Sequence, residues 1–203
     1  MKKIKLFNYI FVLAVLFALI SGCSSFTDGK GFGVNYDRRT AGTIVDDQGL
    51  AIRAETVLTR DKELWKNCHI NTLSYNNSIL LVGQAPTEEL KDRATDLLRK
   101  FVHQDQIYNQ ITVENPIPLT SRTQDTWITT QVKGKILANK NIGINRTKVI
   151  TENSVVYLMG ILTKEEELIA TRLASETPNV KQVIKIITEH EPVIRGKISL
   201  NNS

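Results

Sequence analysis

The chain is 203 residues long, with a formal charge of +5, 41% hydrophobic residues and two cysteines. That length suits one or two ordinary domains, and the composition is globular rather than disordered or collagen-like. Two cysteines exclude a disulfide framework and a four-thiolate zinc site, while a pI near 9.2 raises nucleic acid or an anionic surface as a partner.

Part of the basic excess is removable. Lys2, Lys3 and Lys5 precede an apolar run from Leu6 to Ile20, and Ile20-Ser21-Gly22-Cys23 follows. A basic start, a short apolar stretch and small residues before a cleavage point describe a secretory signal. The run is too short and too early to read as a spanning helix. The residues alone leave open an ordinary signal with an incidental cysteine, or an uncleaved anchor. The order aliphatic, small, Gly, Cys resembles the bacterial lipobox. That resemblance implies a lipoprotein signal over residues 1–22 and lipidation of Cys23 as the mature N-terminus. Ser24, in place of an aspartate, implies sorting to the outer membrane. Several acyl chains on one residue exceed what stable anchoring requires. Loss of the three lysines takes 26 basic residues to 23 against 21 acidic ones, a net charge of +2, which disfavours nucleic acid. Cys68 is then alone, so no intramolecular disulfide can form.

Residues 23–45 read as a flexible tether. They are Gly-rich, polar and without period, and the Gly29-x-Gly31-x-Gly33 run lacks the preceding strand that a phosphate loop needs. The rest of the chain repeats. Asp47, Leu50, Ala54 and Leu58 match Asp125, Ile128, Val132 and Ile136 at an offset of 78. Asn77 to Gly83 matches Ser154 to Gly160 at 77, and Ile107 and Ile111 match Val183 and Ile187 at 76. An offset that is constant within elements and drifts at turns describes two copies of one module; the period is too long for a solenoid.

Each copy predicts the order α-β-β-α-β. An amphipathic helix leads, followed by a strand over Ile70 to Tyr75 or Thr147 to Glu152. Asn76-Asn77 and Asn153-Ser154 signal hairpin turns into an apolar strand that ends at Gly83 or Gly160. Thr87 with Glu88 and Glu89, and Thr163 with Glu166, cap the second helices, and a last strand closes each copy. Asn115-Pro116-Ile117-Pro118 breaks both helix and sheet between the copies. The boundaries expected are a first domain over 46–114, a linker over 115–123, a second domain over 124–190 and a tail over 191–203.

These residues carry a family resemblance. Ile79-Leu80-Leu81-Val82-Gly83-Gln84, Tyr108-Asn109-Gln110-Ile111, Asp125-Thr126-Trp127-Ile128-Thr129-Thr130 and Thr151-Glu152-Asn153-Ser154 resemble the BON domain of bacterial envelopes, as does Asp37-Arg38-Arg39-Thr40 before the first copy. The resemblance implies an α+β fold of two tandem domains, each with two helices on a three-stranded mixed sheet. It also implies a lipid-anchored protein of the Gram-negative outer membrane, facing the periplasm and serving envelope integrity. One departure concerns the Gly-Val pair that BON domains carry before the last strand. Here His103-Gln104-Asp105-Gln106 and Pro178-Asn179-Val180 stand there. Asn179 tolerates a left-handed turn; the first loop's shape is left open.

No catalytic constellation emerges. Cys68 and His69 are adjacent, and neighbours on a strand face opposite ways, so a buried thiol beside a surface histidine is expected. The acidic groups Glu88-Glu89 and Glu165-Glu166-Glu167 sit at helix starts, where the helix dipole favours carboxylates. The three histidines lack metal-ligand spacing and no hydrolase, P-loop or zinc-protease motif occurs. The expectation is a non-enzyme with no cofactor, no metal and no small-molecule substrate.

The informative face lies on the first helix of the second copy. Ile128, Val132 and Ile136 point inward, leaving Trp127, Thr130, Gln131, Gly134 and Leu137 on neighbouring faces. Tryptophan at an exposed helix start suits a membrane interface, and Lys133, Lys135 and Lys140 stand near it. The first copy has Gly49 where the second has Trp127. BON domains are regarded as phospholipid-binding modules, so the resemblance implies an anionic phospholipid membrane as partner, met by Trp127, Thr130, Gln131, Lys133, Gly134 and Leu137. Two alternatives stand beside it: Trp127 packs on the other copy or the linker, or it anchors an adaptor to outer-membrane assembly proteins.

Overall fold

The computed structural model describes residues 40–143 and 145–191. The leader over 1–22, Cys23, most of the expected tether and the tail beyond Glu191 lie outside them. Helix α1 (Ala41–Arg60) begins the first module, capped by Thr40, whose hydroxyl accepts from the Thr43 amide at 3.1 Å. The first helix therefore begins within the residues expected as tether. Asp61 ends α1 and caps a short helix α2 (Lys62–Asn67) absent from the sequence expectation, accepting from the amides of Glu63 and Leu64 at 3.1 Å each. Strands β1 (His69–Tyr75) and β2 (Ser78–Ala85), helix α3 (Glu88–Leu98) and strand β3 (Ile107–Val113) complete the module. The second module has α4 (Leu119–Ala138), β4 (Thr147–Glu152), β5 (Val155–Leu162), α5 (Lys164–Ser175) and β6 (Gln182–Glu189). Helix α4 starts directly after Pro118, so the chain is helical well before the expected linker ends at 123.

Both sheets have one topology. The hairpin β1–β2 is antiparallel and β3 joins β2 in parallel; β4, β5 and β6 repeat this. The two-residue turns need left-handed backbone at both central positions, and Asn76, Asn77, Asn153 and Ser154 all have φ between 49° and 65°. A buried aspartate from the leading helix holds each turn. Asp47 accepts from the amides of Asn76 and Asn77 at 2.9 Å, and Asp125 from those of Asn153 and Ser154 at 2.9 and 2.8 Å. Gly83 has φ +130°, and a Cβ there would stand 1.9 Å from the His69 carbonyl oxygen on the paired strand, so no other residue fits. In the loop before β6, Asn179 adopts φ 67°. In the first module the corresponding loop closes as a 3-10 turn, with the Gln106 amide donating to the His103 carbonyl at 3.0 Å.

Three cores result. Ala54, Leu58, Ile79, Leu81, Ala94 and Leu98 pack between helices and sheet in the first module, and Ile128, Val132, Ile136, Val156, Leu158 and Ala170 in the second. The third core joins the modules: Tyr75, Leu80 and Val82 of one sheet meet Tyr157 and Met159 of the other. Each central strand is thus buried on both faces, which accounts for its unbroken apolar sequence. Burial of each such side chain contributes about 1.5–3 kcal/mol. All three cores close within residues 40–191, so a fragment beginning at Ser24 retains them.

Polar groups seal the junction. Buried Glu152 accepts from the side-chain amides of Gln84 at 2.8 Å and Asn71 at 3.0 Å, and His69 Nε2 lies 3.7 Å from it. The Tyr75 hydroxyl donates to the Arg146 carbonyl at 2.8 Å, and the Lys148 ammonium to the Ser74 carbonyl at 2.7 Å. His69 is therefore a junction residue rather than the surface histidine expected. Burial, chiefly, holds its imidazole below the ordinary range; nearby Arg122 acts in the same direction, and Glu152 and Asp125 oppose it.

Two outcomes follow from these contacts. Asp125→Ala removes a buried carboxylate from two turn amides and lowers stability by about 2 kcal/mol, read from urea denaturation, with Asp47→Ala similar. A depressed histidine pKa means that the unfolded chain takes up the proton first. His69's contribution is then complete above its ordinary value of 6.5 and is lost progressively as pH falls below it. Urea midpoints at pH 7.5 and 5.5 should diverge more for the wild type than for His69→Gln.

Candidate functional site

Helix α4 buries Asp125, Ile128, Val132 and Ile136. That stripe satisfies the second core without the rest of the helix. Trp127 is left 63% exposed and Leu137 61%, and Leu119 at the helix start is exposed too. Neither the first module nor the linker covers the indole. Thr130, Lys133 and Gly134 are likewise exposed and Gln131 is half-buried. The helix carries apolar residues on both its inner and outer faces. Its threonine hydroxyls turn inward along the backbone: Thr123, Thr126 and Thr130 donate to the carbonyls of Leu119, Arg122 and Thr126 at 3.1, 3.0 and 2.9 Å.

The six residues expected to act together are divided by the structure. Trp127 lies on the side of α4 away from the core, about two helical turns before Gly134. Lys133, Gly134 and Leu137 line a cleft of about 540 Å³ between the modules, whose other walls come from α1, β1 and β4. Thr130 and Lys133 line a second, polar hollow with His69, Arg122 and Glu152. Lys133 therefore stands on the ridge between the two, and forms no salt bridge among the described residues. Lys135, expected beside the tryptophan, instead donates to the Glu176 carbonyl at 3.0 Å, at the C-terminal end of α5. The first-module wall, with Gln48, Ala51 and Leu73, was not foreseen, because it depends on how the copies pack.

The groups that could suggest catalysis have structural duties. Cys68 caps α2 and packs on the first core, and burial, with Asp61 nearby, pushes its thiol up rather than activating it. Glu166 completes the capping box with Thr163 and pairs with Arg146, while Glu167 accepts from Lys185 at 2.6 Å. Among the described residues, no three histidine, cysteine or acidic side chains converge on a metal position, and no helix is long and apolar enough to cross a membrane.

The BON domain model matches residues 46–115 and 124–189. The chain is 35% identical over 170 residues to outer membrane lipoprotein DolP of Haemophilus influenzae, covering 82% of this chain and 88% of that one. It is 38% identical over 151 residues to the 21 kDa hemolysin of Actinobacillus pleuropneumoniae, covering 74% and 78%. A solved C-terminal domain of CdsD, a structural protein of the type III secretion system of Chlamydia trachomatis, overlaps 71% of this chain and 67% of its own. Its identity is 12% and its TM-score 0.29, too distant to bear on this protein. Two matched copies, each an α-β-β-α-β unit with the same sheet topology, make this chain a member of the BON-domain family, as a two-domain lipoprotein of the outer membrane.

Proposed function

We propose that the protein is a non-catalytic lipoprotein, anchored through Cys23, whose second BON domain binds anionic phospholipid along α4 and so supports outer-membrane integrity. The exposed Trp127 carries this reading. A large apolar ring with one polar N–H, left uncovered by its own fold, suits the boundary between head groups and acyl chains. Leu137 extends the apolar stripe, and Lys133 supplies charge at about 1 kcal/mol beside an anionic surface. The threonine row adds to it. Hydroxyls already bonded to backbone carbonyls let the face enter a less polar medium without stranding a donor. The first domain has Gly49 in place of Trp127, so the lipid face belongs to one copy.

The chain's two tryptophans are Trp65 and Trp127, so Trp65→Phe leaves one reporter. In that background, the fragment beginning at Ser24 should show a fluorescence blue shift with phosphatidylglycerol vesicles and little with phosphatidylcholine. The affinity should fall with added salt. Trp127→Glu should weaken attachment at least tenfold, and Lys133→Glu about fivefold. Equal affinity for both vesicle types, or an unchanged affinity in Trp127→Glu, refutes the lipid face. A single crosslinked protein partner through position 127 would then identify an adaptor for envelope assembly.

A further inference from the structure

The cleft between the modules adds a second element to the lipid reading, and rests on it. Its walls come from four elements: α1 with Gln48 and Ala51, β1 at Thr72–Ser74, α4 with Lys133, Gly134, Ile136 and Leu137, and β4 at Thr147–Val149. The volume of about 540 Å³ lies within the range of small-molecule sites, roughly 300–1,000 Å³. Apolar walls dominate, through Ala51, Leu73, Ile136, Leu137 and Val149. The charged residues in the lining are Lys133 and Lys148, and no carboxylate accompanies them. The Lys148 ammonium donates to the Ser74 carbonyl and ties β4 to β1 at this place, whereas Lys133 is exposed. An apolar slot whose charges are all positive complements an anion carrying a hydrocarbon chain.

Gly134 strengthens the argument. It sits mid-helix, where glycine is a poor helix former relative to alanine. A Cβ there meets nothing within 4 Å, so no neighbour in the fold demands its absence. Gly134 lines the cleft, so a large side chain at this position has room to occupy the α4 wall.

We infer that this cleft takes one acyl chain of an anionic phospholipid, between α1 of the first domain and α4 of the second, with its phosphate at Lys133. The first domain is then part of the lipid site, not only a spacer. Trp127 contacts the bilayer surface on the outer side of the same helix, and the cleft holds a chain drawn out beside it.

The test uses the isotope-labelled fragment beginning at Ser24 and dihexanoylphosphatidylglycerol below its critical micelle concentration, followed by amide shifts. Shifts are expected at Ala51, Thr72 and Leu73 together with Lys133 to Leu137. Glycerol 3-phosphate, a head group without chains, should move Lys133 and leave the first domain unchanged. Hexanoate, a chain without phosphate, should bind at least tenfold more weakly. Ala51→Phe fills the slot from the first domain and should weaken binding of the short-chain lipid about tenfold. Gly134→Phe fills it from the opposite wall and serves if Ala51→Phe does not fold. Shifts confined to the stretch of α4 around Trp127 and Gln131, with the first domain silent, overturn the cleft while leaving the α4 reading intact. The same holds if neither filled variant weakens binding. Hexanoate binding as tightly as the lipid overturns the phosphate assignment. If nothing shifts and Trp127 is also unmoved by phosphatidylglycerol vesicles, the lipid reading of α4 falls as well.

Discussion

Burial of β2 and β5 on both faces is the constraint on which the molecule depends. Along β2, Ile79 and Leu81 pack under the first module's own helices, while Leu80 and Val82, alternating with them, pack against the other sheet. Along β5, Val156 and Leu158 serve the second module, and Tyr157 and Met159 the junction. A module of this size has a helix-to-sheet core but one apolar sheet face still bare. Pairing two copies face to face covers both. Separating them would expose Tyr75, Leu80, Val82, Tyr157 and Met159 and leave Glu152 without its amide donors. A buried carboxylate is tolerated only when hydrogen-bonded, and Gln84 and Asn71 of the other copy provide those bonds. The tandem repeat therefore behaves as one unit.

That pairing also arranges the surface. With the sheets inward, the helices lie outside, and α1 and α4 flank the cleft above the edge strands β1 and β4. The two helices descend from one template and keep what the fold requires. Asp47 and Asp125 hold equivalent hairpin turns, and Leu50, Ala54 and Leu58 answer Ile128, Val132 and Ile136. Where they differ is on their outer faces: Gly49 against Trp127, Ile52 against Thr130. The inward positions stay apolar in both copies, whereas at these outward positions the residue class changes.

Much of the architecture was legible in the residues. The caps at Thr87 and Thr163, the asparagine-rich hairpin turns, Gly83 and the inward stripe of α4 are local features, read from spacings of one to four residues. The short helix α2 was missed because it follows α1 after one residue, and only the Asp61 cap separates them. Lys135 was misplaced because helical position gives a direction but not a partner, and the α5 C-terminus offered it a carbonyl. A clue to the paired sheets was present in Ile79-Leu80-Leu81-Val82. A strand with one wet face alternates, and this one does not.

The sequence by itself determined that the chain carries two copies of one module and that only the second copy's leading helix has a tryptophan outside its inward stripe. Each depends on composition or on residues a few positions apart, where backbone geometry leaves little choice. The tertiary structure alone decided that the copies share a core, that His69 faces Glu152 across 83 positions, and that α1 helps to wall the cleft beside α4. Such contacts join residues far apart along the chain. Which partner a side chain meets there is set by how two sheets cover one another's apolar faces, a choice no local periodicity encodes.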